Sequence, residues 1–232
     1  MRLLILREAG PAAERTAQAV RAAGHEPVLL PLEAGVALAR ALPEGAFDAF
    51  ALTSRRAAAP LASAYPGDAR PVLCVGAATA EAARAAGFTH VLEGVGTAAA
   101  MPALLGAAGL PGGARILYAA GRPRTGTLEE ALTAAGFGVV TWDVYETRAV
   151  RPAPALVEAA TAGGAAEAAL VLSRLQAGAL SDLVAARPDL ARPGFRCLCL
   201  SSRIAGALSR ELAEGAAISD APSLARLLEL AR

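Results

Sequence analysis

No lysine occurs in this 232-residue chain, and all 22 of its basic residues are arginines. That absence excludes a Schiff-base lysine, a pyridoxal-phosphate enzyme and a complete phosphate-binding loop of the Walker type. Cysteine is scarce: Cys74, Cys197 and Cys199 are the only three. An odd number argues against a disulfide framework, and all three read as core residues. Only two histidines are present, His25 and His90, and each follows a helix-ending glycine. No third imidazole or suitably spaced cysteine pair completes a zinc site, so no metal and no cofactor is expected. Every apolar run is broken by glycine, proline or charge before it reaches membrane-spanning length. Arg7 and Glu8 interrupt the first apolar run, unlike the layout of a signal peptide, so a cytoplasmic protein is expected. A formal net charge of +1 gives no pull toward nucleic acid or a membrane surface.

What is present is a repeated grammar. Residues 47–54 read as a strand with a hydroxyl-bearing end, followed by a helix, the strand Pro71–Val75 with Gly76, and a helix ending at Gly87. Residues 168–173 open the same series, through the strand at 196–200 to a helix ending at Gly215. The segments Leu3–Arg7 and Ile116–Tyr118 each lead to a helix, a glycine and another strand. The expectation is an α/β chain of two similar lobes, each a parallel sheet with flanking helices, with a cleft between them.

In chain order the expected elements alternate. Strands are read at 3–6, 28–32, 48–53, 71–75, 89–92, 115–120 and 139–146, then at 168–172, 196–200 and 216–219. Helices are read at 12–23, 35–42, 55–64, 78–86, 98–108 with Thr97 as N-cap, and 127–135. Beyond a linker at 148–154, further helices are read at 154–162, 175–186, 203–213 and 222–231. Ligands of parallel sheets bind beyond the carboxyl ends of the strands. Those ends carry Arg7, Thr53-Ser54, Gly76, Gly121, Ser173 and Ser201-Ser202. Small, hydroxylic and arginine residues at helix starts suit anion binding.

Two motifs fall short. Gly121-Arg122-Pro123-Arg124-Thr125-Gly126-Thr127 follows a strand and opens a helix, but lacks the lysine a nucleotide loop needs. It reads as an ordinary strand–helix turn or, through its two arginines, as an anion site. Gly94-Val95-Gly96-Thr97-Ala98-Ala99 lacks both the last glycine of a dinucleotide fingerprint and an acid about 20 positions on, so it reads as a loop.

Several segments then fall into a known order. They are Leu4-Ile5-Leu6-Arg7-Glu8, Leu52-Thr53-Ser54 with Ala57, Val75-Gly76 with Thr79-Ala80, and Ile116-Leu117-Tyr118 with Gly121. Val144-Tyr145-Glu146-Thr147, Ser173 and Ala221-Pro222-Ser223 follow. With these, the chain resembles the uroporphyrinogen-III synthase family along nearly its whole length. It departs from the family at Leu6-Arg7, where Thr-Arg is common, and at Ser201-Ser202-Arg203, where a glycine-and-threonine turn is common.

The resemblance implies a discontinuous first lobe, 1–34 plus 148–232, and a second lobe, 35–147, joined by a two-stranded linker. It implies a lyase that cyclises hydroxymethylbilane, a linear tetrapyrrole with eight carboxylates, losing water and inverting the last pyrrole ring. No cofactor is implied. The implied partner is the small-molecule substrate, with at most a transient contact to the enzyme that supplies it, and the protein is expected to be monomeric. Tyr145 is the candidate catalytic residue, because a phenol is a protonated donor at neutral pH. Without the resemblance it reads as a strand tyrosine packed at an interface. Substrate-binding candidates are Arg7, Thr53, Ser54, Arg55, Gly76, Ala77, Thr79, Gly121, Arg122, Thr147, Ser173, Ser201 and Ser202; Arg56 and Arg174 also follow strand ends. Two other readings stay open: a bilobal small-molecule-binding protein, and a regulatory protein of receiver-like lobes. The first would normally be exported, and the second would want an acidic cluster at the strand ends.

Overall fold

Short apolar strands and amphipathic helices make up the chain, and the central strands of each sheet are buried on both faces. In the computed structural model, which describes residues 1–231, β1 is Arg2–Ile5, α1 Pro11–Ala22, β2 Glu26–Leu29 and β3 Glu33–Ala37. Then follow β4 Ala49–Leu52, α2 Ala58–Ala64, β5 Val72–Cys74, α3 Ala77–Ala85, β6 Val91–Glu93 and α4 Pro102–Ala107. Next are β7 Arg115–Arg122, α5 Thr127–Ala134, β8 Gly138–Ala149, α6 Pro154–Thr161, β9 Ala166–Val171 and α7 Arg174–Ala186. The chain closes with β10 Ala191–Cys199, α8 Ser202–Ala205, α9 Arg210–Glu214, β11 Ala216–Ile218 and α10 Leu224–Glu229. It divides into two compact units, Met1–Ala34 with Arg148–Arg232, and Gly35–Thr147.

The first unit holds a five-stranded sheet in the order β11-β10-β9-β1-β2, with every pairing parallel. One face, with Leu4, Val171, Cys197 and Cys199, packs against Val157 of α6 and Leu180 of α7. The other, with Leu3, Ile5, Leu170 and Leu198, packs against Val20 of α1 and Leu227 of α10. The second unit holds a six-stranded sheet in the order β3-β8-β7-β4-β5-β6, parallel from β8 to β6. Phe50, Leu52, Cys74 and Leu117 face α2 and α3; Ala51, Leu73, Ile116 and Tyr118 face α4 and α5. Covering both faces is the condition under which parallel sheets occur, and it accounts for strands that read as continuous apolar runs.

Four sequence expectations change. The stretch expected as a helix at 35–42 is instead strand β3, at 33–37. Its alanine and leucine favour helix locally, but its backbone is taken up by β8: the Leu38 amide donates to the Val144 carbonyl at 2.9 Å, and Val150 to Leu32 at 3.0 Å. Those two bonds give the β3–β8 neighbours an antiparallel sense. The expected linker at 148–154 is partly strand, since β8 continues to Ala149. The helix expected at 203–213 is broken into α8 and α9, because Ser209 starts a new N-cap by accepting from the Leu212 amide. Thr97 makes no side-chain cap, and a 3-10 turn at Ala98–Ala100 precedes α4.

Cys74, Cys197 and Cys199 are free thiols buried in the two cores. Burial pushes Cys74 and Cys197 up to about 12 and Cys199 up to about 11. A raised thiol pKa lowers the thiolate fraction, which is the reactive form. The native protein is therefore expected to show no thiol reacting with Ellman's reagent at pH 8, and three after unfolding. One fast-reacting thiol in the native protein would contradict this packing.

Candidate active site

Each unit brings its candidates to one edge, where the parallel strands end and helices begin. In the first unit these are Arg7 after β1, Ser173 after β9, and Ser201-Ser202 after β10, three neighbouring strands of the sheet. Ser173 caps α7 by accepting from the Gln176 amide at 3.1 Å. Ser173 Oγ also donates to Glu33 Oε2 at 3.3 Å, and Gln176 Nε2 donates to Glu33 Oε1 at 2.8 Å. Gln176 is 1% exposed, and its Oε1 accepts from the Leu172 amide at 2.8 Å. Ser173 is thus engaged by protein on two sides. Ser201 sits at the start of a four-residue helix and makes no side-chain cap. Arg174 and Arg203 are exposed, while Arg7 is half-buried.

In the second unit, Thr53-Ser54 end β4, Gly76-Ala77 end β5, Gly121-Arg122 end β7, and Tyr145 and Thr147 lie on β8; these four strands are neighbours. The β7–β8 register shifts between Ala120 and Gly121, so Gly121 pairs with Tyr145. The half-buried Tyr145 ring lies directly on Gly121: a Cβ built there would overlap Cζ, Cε2 and the hydroxyl of Tyr145. The Arg56 guanidinium stands 5.8 Å from the centroid of the same ring. Gly35 makes room for it, since a Cβ at Gly35 would come within 2.9 Å of Arg56 Nε. Ser54 caps the turn after β4 by accepting from the Arg56 amide at 3.3 Å. Exposed Arg55 lies beside it.

Gly76 has an extended backbone, and a Cβ there would come within 3.3 Å of Gly96 Cα. The Gly94-Val95-Gly96 loop is bonded back onto that turn by the Gly94 amide to Cys74 and the Gly96 amide to Val75, at 2.8 and 2.7 Å. The segment read as a loop is therefore a brace for the start of α3. Thr79 is 5% exposed and belongs to the buried side of α3, so its hydroxyl lies away from the surface where a ligand would meet the helix start.

The arginines of the β7–α5 turn are already matched. Arg122 Nη2 donates to Glu146 at 2.8 Å, with Asp143 3.8 Å from its Nε. Arg124 pairs with Glu129 and, at 2.6 Å, with Asp143. Three carboxylates against two guanidiniums do not make an anion site, which removes the main argument for reading this turn as one. Arg122, Glu146 and Thr147 line an open cavity of about 630 Å³ together with the turn itself.

Sequence reasoning missed three features. Arg56 approaches Tyr145 from 89 positions away in the chain, which no local pattern shows. Glu33 and Gln176 were not singled out, although Ser173-x-x-Gln176 has the form of a capping box. Tyr118, whose hydroxyl lies 2.6 Å from Thr53 Oγ1, reads in the sequence as no more than a strand residue.

Comparison with known proteins decides the family. Residues 14–229 match the family model described as uroporphyrinogen-III synthase HemD. The chain belongs to the uroporphyrinogen-III synthase family. It is accordingly an enzyme, a cyclising lyase of tetrapyrrole biosynthesis, and the readings as a binding protein or a receiver-like regulator are not favoured. Among solved structures, the fold is similar to uroporphyrinogen-III synthetase from Helicobacter pylori, with a TM-score of 0.61 at 17% identity, covering 100% of this chain and 98% of that one. A mutant uroporphyrinogen III synthase from the extremely thermophilic bacterium Thermus thermophilus matches with a TM-score of 0.45 at 21% identity over 98% of this chain and 96% of that one. No curated protein matches. No helix among the described residues is long and apolar enough to cross a membrane, and none of their His, Cys, Asp and Glu side chains form a group of three that could hold a metal ion.

Proposed function

We propose that the ring closure is assisted by Tyr145 as proton donor, with the substrate's carboxylates met by amides and hydroxyls at the strand ends. The pyrrole nitrogen lone pair expels the hydroxymethyl oxygen of hydroxymethylbilane, so the protein need supply no nucleophile. It must protonate the leaving hydroxyl and hold the chain for closure. One observation carries the role of Tyr145: its phenol is fixed on Gly121 with the Arg56 guanidinium 5.8 Å from the ring.

The binding candidates with capacity to spare support the second part of the reading. Arg55, Ser202 and the amides around Gly76-Ala77 are exposed or half-buried at helix starts, where positive partial charge collects. Arg122 contributes instead by holding Glu146, and Ser173 by holding Glu33. The same reading carries a monomer working in the cytoplasm and taking hydroxymethylbilane from its source with at most a transient contact.

Incubation of the purified protein with freshly prepared hydroxymethylbilane tests it. The expected product is the type III isomer. Accumulation of only the spontaneous type I isomer, at wild-type folding, would overturn the reading.

A further inference from the structure

The bond between Tyr118 and the binding candidate Thr53 has no part in the reaction as described above. Tyr118 projects from β7 toward the α4–α5 face and is 4% exposed. Its hydroxyl lies 2.6 Å from Thr53 Oγ1, at the carboxyl end of the neighbouring strand β4. Thr53 itself is half-buried. Both line a cavity of about 240 Å³ whose wall also includes Thr125 and Thr127 of the β7–α5 turn and the paired Arg124 and Glu129, so the donor offered to a ligand there is a hydroxyl and not a free guanidinium.

Either hydroxyl could donate, but the two choices are unequal. If Thr53 donated, the proton left over would belong to Tyr118, the more buried of the two and the less able to reach a ligand or solvent. If Tyr118 donates, its proton is satisfied and the Thr53 proton is left to point away from it, toward the cavity and the strand end. Burial raises the Tyr118 pKa, opposed by its bond to Thr53, so the phenol stays protonated and able to donate.

We propose that Tyr118 is a positioning residue: by donating to Thr53 Oγ1 it commits the Thr53 hydroxyl to donate to an oxygen of the substrate, a carboxylate arm of the tetrapyrrole. This rests on the proposed function for the identity of the ligand and deepens it. The Thr53 hydroxyl has a single proton, and with Tyr118 donating to its oxygen that proton is the group it turns to the ligand, so the site favours an acceptor. Tyr118 touches no reacting atom and acts only through Thr53.

The test is a double-mutant cycle on Tyr118→Phe and Thr53→Val, with Thr53→Ser as the conservative variant. Two readouts are used: steady-state cyclisation of hydroxymethylbilane, and fluorescence titration with the octacarboxylate porphyrin made by oxidising uroporphyrinogen III. Thermal melts check that each variant folds. Tyr118→Phe is expected to raise KM and the porphyrin Kd about fivefold to tenfold, the size of one neutral hydrogen bond, with kcat within about twofold. Thr53→Val should lose at least as much, Thr53→Ser should retain wild-type values, and Tyr118→Phe should have no further effect in the Thr53→Val background. Additive losses, or a fall in kcat with KM unchanged, would overturn the positioning role while leaving cyclisation intact. A wild-type protein that binds the porphyrin with the same non-additive pattern but makes no type III isomer would uphold the positioning role and sink the proposed reaction. Should Tyr118→Phe fail to fold, a wild-type affinity in Thr53→Val alone would still overturn the proposal.

Discussion

Tyr145→Phe is expected to keep the fold and to slow formation of the type III isomer by about 10²–10³-fold, the usual worth of one well-placed general acid. The ring is held by packing on Gly121 and by Arg56 over its face, and both contacts survive loss of the hydroxyl. Only the donated proton is removed, so the stability change should be small while turnover falls. Because the substrate's own nitrogen drives departure of the hydroxyl, turnover should fall without vanishing, and spontaneous type I product should make up a larger share. Rapid-quench kinetics with isomer analysis by chromatography, beside a thermal melt, would measure all three. Undiminished turnover at an unchanged melting temperature would remove Tyr145 from the chemistry and return it to a packing role.

A second large effect is expected at Gly121, for a reason unlike the one its place in the chain suggests. A glycine at the end of a strand reads as a place where a ligand approaches the backbone. Here it is the Tyr145 ring that occupies the space, on the pair created by the register shift between Ala120 and Gly121. Gly121→Ala puts a methyl group into that ring, so either the ring swings out or the two strands separate. Overpacking of this kind costs about 1–3 kcal/mol. Loss of the ring's position should cost activity at least as heavily as Tyr145→Phe. The two losses share one origin, which a double variant exposes. Gly121→Ala combined with Tyr145→Ala should melt close to Tyr145→Ala alone, since the methyl then has room. If Gly121→Ala were fully active, or if its destabilisation persisted undiminished in the double variant, the ring would not depend on the glycine.

Much of this chain is legible without coordinates. The lack of lysine removes whole classes of cofactor chemistry, and the alternation of apolar strands with helices points to sheets covered on both faces. The order of Thr53-Ser54, Gly76, Gly121 and Val144-Tyr145-Glu146-Thr147 points to the family that the comparison over residues 14–229 establishes. These features are local: they rest on residue types and on spacings of two to four positions, which the chain displays by itself. Tertiary structure alone decided the rest. It turned residues 33–37 into a strand, because backbone pairing with β8 outweighs the helical preference of alanine. It bound Arg122 to Glu146 and Arg124 to Asp143, withdrawing charges that looked available for an anion. It also joined Tyr118 to Thr53 and laid Tyr145 on Gly121 under Arg56. Each of these depends on the register between strands far apart in the sequence. A shift of one residue turns a side chain to the opposite face of the sheet, so no pattern within a single segment can encode the pairing.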